Sequence, residues 1–256
     1  MPTLFQRLRS LRHAIDFRLS ERLRRRRGIH REVPARQLPP LDEAAAESVA
    51  RLRGLYGEEF ADRHCARTAL GCYEYLDILH RGFDAAGLRA PRGGVLSDVG
   101  SANFWYARVL EVFFAPAELL GVEVEGYRRY TDGHSRLDYA CGYLEGLPHA
   151  RFLIADYTEL DLPADLISAW FPFINGEALL AWRLPLSLLR PQALFRRVRH
   201  NLRPGGLFVM INHGESEACG ARELCSAAGL RLRHQGVVRS PLANHRTREP
   251  ILSIWD

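Results

Sequence analysis

The sequence predicts an α/β fold: a seven-stranded, mostly parallel sheet between helical layers, with an antiparallel strand at one edge and a helical N-terminal segment. Three observations carry this. After Gly93-Gly94, short apolar runs alternate with helical stretches. The last two runs, 230–238 and 250–255, leave no room for a helix between them, so they pair as a hairpin. Before Gly93 the periodic stretches, 4–23 and 41–88, are helical in pattern.

From the N-terminus, Leu4, Leu8, Leu11, Ile15, Leu19 and Leu23 recur at spacings of three or four, the stripe of an amphipathic helix with arginine on its other faces. Arg24-Arg25-Arg26-Arg27-Gly28 ends it, and residues 28–40, with Pro34, Pro39 and Pro40, read as a linker. Residues 41–88 hold two or three helices, with Asp42 as N-cap and Gly87 as stop. Strands are expected at 94–99, 118–124, 151–155, 165–171, 206–212, 230–238 and 250–255, and helices at 103–114, 133–145, 177–200 and 215–228. The chain so divides into a basic tail and linker (1–40), a helical cap (41–91) and a sheet domain (92–256).

Composition excludes several classes. No apolar run approaches the roughly 18 residues that span a bilayer, and arginines interrupt the N-terminus, so neither a transmembrane segment nor a secretory signal is expected. Five scattered cysteines without a C-x-x-C pair fit a reducing, cytoplasmic setting and no metal site. Every basic residue is arginine, which excludes Schiff-base and P-loop lysines. The net charge of +5 is uneven: residues 1–40 carry 11 Arg against Asp16, Glu21 and Glu32, leaving −3 for the rest. Three readings of the tail stand: contact with an acidic surface such as nucleic acid or anionic lipid, docking of its leucine stripe on the body, or partial disorder. Its only aromatics are Phe5 and Phe17 and no nucleic-acid motif accompanies the charge, so docking or mobility is the default.

The residues that point to chemistry lie at predicted strand ends, where open α/β sheets bind ligands. In "VLSDVGSAN", Asp98 ends the first strand and Gly100 permits a tight turn. Glu123 ends the second strand, where an acid accepts both hydroxyls of a ribose. Glu125 shares its strand face; one of the two is a solvated charge, and Glu123 is the better placed ligand. Asp156 ends the third strand, as an acceptor for an adenine amine or as a turn cap. "LRPGG" (202–206) introduces the fifth.

In their order and spacing these motifs, with "GVEVE", "IADY" and "LISAWFPF", resemble the class I S-adenosylmethionine-dependent methyltransferases over residues 92–256. The resemblance implies a Rossmann-like three-layer sandwich and S-adenosyl-L-methionine as cofactor. It places the methionine part at Gly100, Ser101 and Ala102 with Asp98 beneath, the ribose at Glu123 and Val124, and the adenine at Asp156 and Tyr157, with Trp170 beside the cofactor. Two departures stand out: Ala102 and Phe104 occupy positions that carry glycine in the family, the first a mild change if its φ is negative. Trp170-Phe171-Pro172-Phe173 reads as core aromatics or as a wall for the methyl acceptor. His213 and Glu215, after the fifth strand, are candidate catalytic bases; Tyr127 and Tyr130 carry the same ambiguity. The acceptor is not legible. A cofactor-binding protein without transfer activity is the alternative; a nicotinamide dehydrogenase lacks its G-x-G-x-x-G.

Overall fold

The structure, a computed structural model, describes residues 2–243 and 248–256. Helix α1 (Leu4–Leu23) opens on a capping box: the Thr3 hydroxyl accepts from the Gln6 N–H, and the Gln6 side chain accepts from the Thr3 N–H. The leucine stripe does not dock. Leu4, Leu8, Leu11, Ile15 and Leu19 are all exposed, and the opposite face meets the body. There Arg9 donates to the Leu180 carbonyl (3.2 Å), the Leu186 N–H donates to the Ser10 hydroxyl (2.9 Å), and His13 is buried. The surface that α1 meets presents backbone groups left open at a helix end and a turn, and polar side chains satisfy them.

Residues 24–40 form no helix or strand, yet they are a pinned strap rather than a free linker. Arg26 pairs with Asp138 (2.8 Å), the His30 N–H donates to the Asp138 carbonyl (3.0 Å), and the Ala35 N–H donates to the His64 carbonyl (2.9 Å). Glu32 accepts from Thr68 (2.7 Å) and Tyr143 (3.1 Å). The strap crosses at Gly142, where any side chain would overlap the His30 carbonyl.

Asp42 caps α2 (Glu43–Tyr56), accepting from the Ala45 N–H at 2.8 Å, and α3 (Ala66–Ala85) ends just before Gly87, which has φ +63°. Beyond these come β1 (Val95–Val99), α4 (Ala107–Phe114), β2 (Glu118–Glu123), α5 (Arg136–Tyr143), β3 (Ala150–Ile154), β4 (Ala164–Trp170), α6 (Gly176–Ala181), α7 (Pro191–Asn201), β5 (Leu202–His213), α8 (Gly214–Ala227), β6 (Leu232–Val237) and β7 (Pro250–Trp255). The helix expected over 177–200 is broken in two because Pro185 and Pro191 interrupt it, with a 3-10 turn at Leu186–Leu188 between the pieces. The helix expected from 103 starts at 107, since Ala102 and Phe104 are left-handed. Helix α7 ends at Asn201, and "LRPGG" is a bulged start of β5, with Gly205 at φ +79° and a register shift opposite Ala164 and Leu166.

The sheet order is β3-β2-β1-β4-β5-β7-β6. Strands β1 to β5 are parallel, and β7 runs antiparallel to both β5 and β6. The expected antiparallel pair is therefore present at that edge, with β7 lying one place in and β6 outermost. Residues 244–247, in the connection between the two, lie outside the described residues.

Helices α3 and α4 cover one face of the sheet, with Leu76, Leu79, Phe83 and Phe113 packed in one core with Leu96, Ile211 and Leu252. Helices α7 and α8 cover the other, where Phe195, Ala221 and Cys225 meet Ile167, Phe208 and Trp255. The α2–α3 region thus shares the sheet's core. After β3 the chain returns to the far side of β1, so the crossovers beside β1 and β4 leave on opposite faces and open a crevice at the strands' carboxyl ends. Among the described residues no helix is long and apolar enough to cross a membrane.

Candidate functional site

A cavity of about 280 Å³ occupies that crevice. Its floor is the turn after β1. Gly100, at φ +75°, faces open space where a Cβ would project. Ala102 (φ 52°) and Phe104 (φ 56°) are left-handed without being glycines. The condition of a negative φ at Ala102 is not met: the turn keeps a glycine-like backbone, at a cost of roughly 1–2 kcal/mol per residue. Phe104 does not crowd the cavity. Its ring drops onto Gly121, where a Cβ would stand 2.6 Å from it.

Beneath the turn, Ser101 is buried and donates to the Asp98 carbonyl (2.9 Å). Asp98 is fully buried and accepts from Ser168 (2.6 Å) and Tyr106 (2.7 Å). Burial raises its pKa to about 6 against the pull of these hydrogen bonds. It braces β1 against β4 and does not line the cavity. Glu123 does line it. One carboxylate oxygen accepts from the Ala102 N–H (2.8 Å); the other accepts from the Glu125 N–H (2.8 Å) and lies 3.1 Å from Arg136. Neither Glu123 nor Glu125 is the solvated charge expected of one of them: both are buried around Arg136, which is itself 4% exposed. Burial pushes the Glu125 carboxyl to about 7, opposed by Arg136 and Arg128.

Val124, Asp156 and Tyr157 continue the lining. Asp156 is also a turn cap, accepting from the Thr158 N–H (2.9 Å) and hydroxyl (2.6 Å) and pairing with Arg190. Much of the remaining wall is aromatic. Trp170 stacks on Tyr75 of α3 (3.9 Å between centroids), and its buried Nε1–H has no hydrogen-bond partner among the described residues. Phe171, left-handed at φ 54°, stacks on His213 (3.8 Å). Trp105, Phe173 and Trp182 add further rings, and Leu179, Leu184 and Leu188 line the cavity beside them.

His213 lines the cavity, whereas Glu215 is exposed on the first turn of α8, outside the lining. The acid that α8 turns inward is Glu217, which accepts from the His213 N–H (3.3 Å) and Asn212 (3.4 Å) and whose pKa burial raises. A helix starting at Gly214 puts Glu217 on the same face as the buried Ala218 and Ala221, and that phase was the available signal. Tyr75, Arg136 and Trp182 come from segments without a motif and carried none. Tyr127, which lies under the Arg24 guanidinium (5.6 Å), and Tyr130 do not line the cavity.

Among the described residues one group could hold a metal ion: His30, Asp132 and His134, with donor atoms within 4.8 Å of one another. Sequence spacing could not show it, because His30 belongs to the strap. None of the three lines the cavity.

No family model matches the chain, and no curated protein matches it. Solved structures do. An Aquifex aeolicus SAM-dependent methyltransferase has a TM-score of 0.52 and 14% identity over 71% of this chain and 92% of its own. A putative methyltransferase of Haloferax volcanii, solved with the Trm112 methyltransferase activator, has a TM-score of 0.51 and 14% identity over 85% of this chain and 98% of its own. A geranyl diphosphate methyltransferase, solved in complex with GPP and sinefungin, has a TM-score of 0.52 and 11% identity over 88% of this chain and 95% of its own. The fold is that of the class I S-adenosylmethionine-dependent methyltransferases. In the terms of that fold, the cavity lies at the turn after the first strand and the acid ending the second.

Proposed function

We propose that this chain is an S-adenosylmethionine-dependent methyltransferase acting on an acceptor with an apolar body. The observation that carries the reading is the cavity at the carboxyl ends of β1, β2 and β4, with Gly100 open on its floor and Glu123 on its wall. The residues present fit the cofactor. The space at Gly100 admits a ligand where a side chain would block it, and the orphaned Trp170 Nε1–H offers a donor that the protein leaves unused. The Glu123 carboxylate, with about four acceptor sites, keeps capacity for ribose hydroxyls beside its present bonds.

The cofactor supplies a methyl group already activated on a sulfonium sulfur. What falls to the protein is alignment and the exclusion of water. Trp105, Trp170, Phe171 and Trp182 provide broad apolar surfaces that position an acceptor and keep the site dry. Glu217 and His213 are the groups placed to accept a proton if the acceptor carries one; the raised pKa of Glu217 brings it nearer to a base's working range. Glu215 is too exposed for that part. The five cysteines are unpaired, which supports a reducing, cytoplasmic setting.

The test is calorimetric titration with S-adenosylmethionine and S-adenosylhomocysteine, followed by a methyl-transfer screen over apolar hydroxyl, carboxyl and carbon acceptors. Saturable binding with transfer supports the reading. Binding without transfer to any acceptor favours the silent cofactor-binding protein. No binding of either nucleotide overturns both.

A further inference from the structure

Helix α1 is amphipathic in the inverse sense. Its polar face is committed to the protein, and its apolar face is turned to solvent. Leu4 is 76% exposed, Phe5 67%, Leu11 61% and Ile15 60%, and Leu8, Leu19 and Leu23 are exposed with them. At about 100° per residue these side chains fall within a single sector of the helix. Arg7 and Arg18 border the sector on one side, exposed Asp16 on the other, and Arg12 and Arg22 stand within it. All four arginines are exposed, and among the described residues none forms an ion pair.

We propose that α1 is an interfacial anchor that lays the protein on an anionic bilayer surface, with the leucine sector entering the headgroup boundary and the flanking guanidiniums meeting lipid phosphates. Charge complementarity selects this occupant. Helix α1 carries five Arg against Asp16 and Glu21, a net of +3, and residues 41–256 carry −3, so an anionic surface attracts the helix and repels the body, which fixes orientation as well as contact. Arginine is suited to the border position because its stem covers apolar surface while its head reaches phosphate. A second copy of the chain is disfavoured by the same charges, since pairing two such sectors sets arginine rows against each other. The stripe cannot fold back, because Ser10, His13 and Arg9 hold the other face down. At 20 residues the helix is long enough to lie along the surface, and it does not have the apolar character to span it.

The placement has a consequence for the cavity. Helix α1 rests on α6 and on the turn at Leu186–Leu188, and these supply Ala178, Leu179 and Leu188 to the cavity lining. The wall of the cavity under α1 therefore faces the bilayer. This inference stands on α1 alone and does not depend on methyl transfer.

Flotation of the full chain with vesicles tests it. Vesicles of phosphatidylcholine containing one third phosphatidylglycerol should carry at least ten times more protein than pure phosphatidylcholine, and raised salt should reduce the difference. The triple substitution Leu8→Ser, Leu11→Ser, Ile15→Ser should abolish flotation with an unchanged melting temperature, since none of the three touches the core. Arg12→Gln with Arg18→Gln and Arg22→Gln should remove the preference for anionic vesicles. No flotation of the wild type with anionic vesicles overturns the proposal. So does equal flotation of the Leu/Ile triple variant, which would mean that charge alone binds, as it would to a nucleic acid. A wild-type dimer in solution that the same triple variant dissolves, without vesicle binding, overturns it in favour of self-association.

Discussion

At the scale of single residues, two carboxylates conventionally read as ligands prove to be structural first. Glu123 holds the Ala102 and Glu125 N–H groups and faces buried Arg136. Its removal therefore reaches beyond affinity. Glu123→Ala leaves two backbone N–H groups and part of a buried guanidinium unpaired, each orphaned group costing about 1–3 kcal/mol in stability, and weakens S-adenosylmethionine binding by about tenfold or more. Melting and calorimetry on the same sample separate the two effects. Glu125→Gln is the control: it is buried on Arg136 and Arg128 but absent from the cavity lining, so affinity should hold while melting shifts. Equal loss of affinity in both variants would remove Glu123 from the site.

Asp98 gives a pH signature. Its folded pKa, raised by burial to about 6, lies above the unfolded value near 3.8. Between these values the native state binds more protons than the unfolded state, so this group's contribution to stability falls as pH rises from about 4 to 6. Asp98→Asn removes the titration. The melting temperature of the wild type relative to that variant should decline across that window and level off above it. A constant difference from pH 4 to 7 would show that Asp98 ionises normally.

At the scale of elements, the strap divides what can be removed from what cannot. Deleting residues 2–23 takes away α1, of which His13 alone is buried, and the melting temperature should move by only a few degrees. Extending the deletion to residue 38 removes Glu32 as well. Burial pushes that carboxyl up, but hydrogen bonds from His64, Thr68 and Cys65 outweigh it and hold its pKa at about 2. Its loss strands these donors, so the longer deletion should melt many degrees lower; similar melting of the two truncations would contradict this role for the strap. The same elements show where the sequence was readable. The strand and helix alternation after Gly94 was legible because the periods of 2 and 3.6 are set by side chains each element must bury. The strap was not, because Pro34, Pro39 and Pro40 report the absence of a helix, and nothing local reports that Gly142 lies under the chain. The docking of α1 was misread for a general reason. An apolar stripe is taken to face the core, and here the surface it meets offers open backbone groups to polar partners instead.

At the scale of the whole molecule, the mostly parallel seven-stranded sheet and its antiparallel edge followed from the sequence, because the alternation of strand and helix forces crossovers and the short gap before the last strand forbids one. The wall of the cavity did not follow. Tyr75, Arg136 and Trp182 reach it from α3, from the start of α5 and from the end of α6, which no local pattern joins. A whole-molecule prediction rests on the shared core: residues 92–256 expressed without α2 and α3 should fail to fold cooperatively, because Leu96, Ile211 and Leu252 lose their cover. A sharp calorimetric transition for that fragment would show instead that the sheet domain is self-sufficient.

The position of β7 bears on how the chain is made. Its neighbours in the sheet, β5 and β6, are both synthesised before it, and β6 hydrogen-bonds to the sheet through β7 alone. While the ribosome is between β6 and β7, the nascent chain carries one strand with no partner and another with an open edge. That edge is a template for pairing with another chain. Polypeptides stalled or cleaved between residues 238 and 250 are thus the species expected to aggregate, and β7 closes the sheet by wedging between two strands that wait for it.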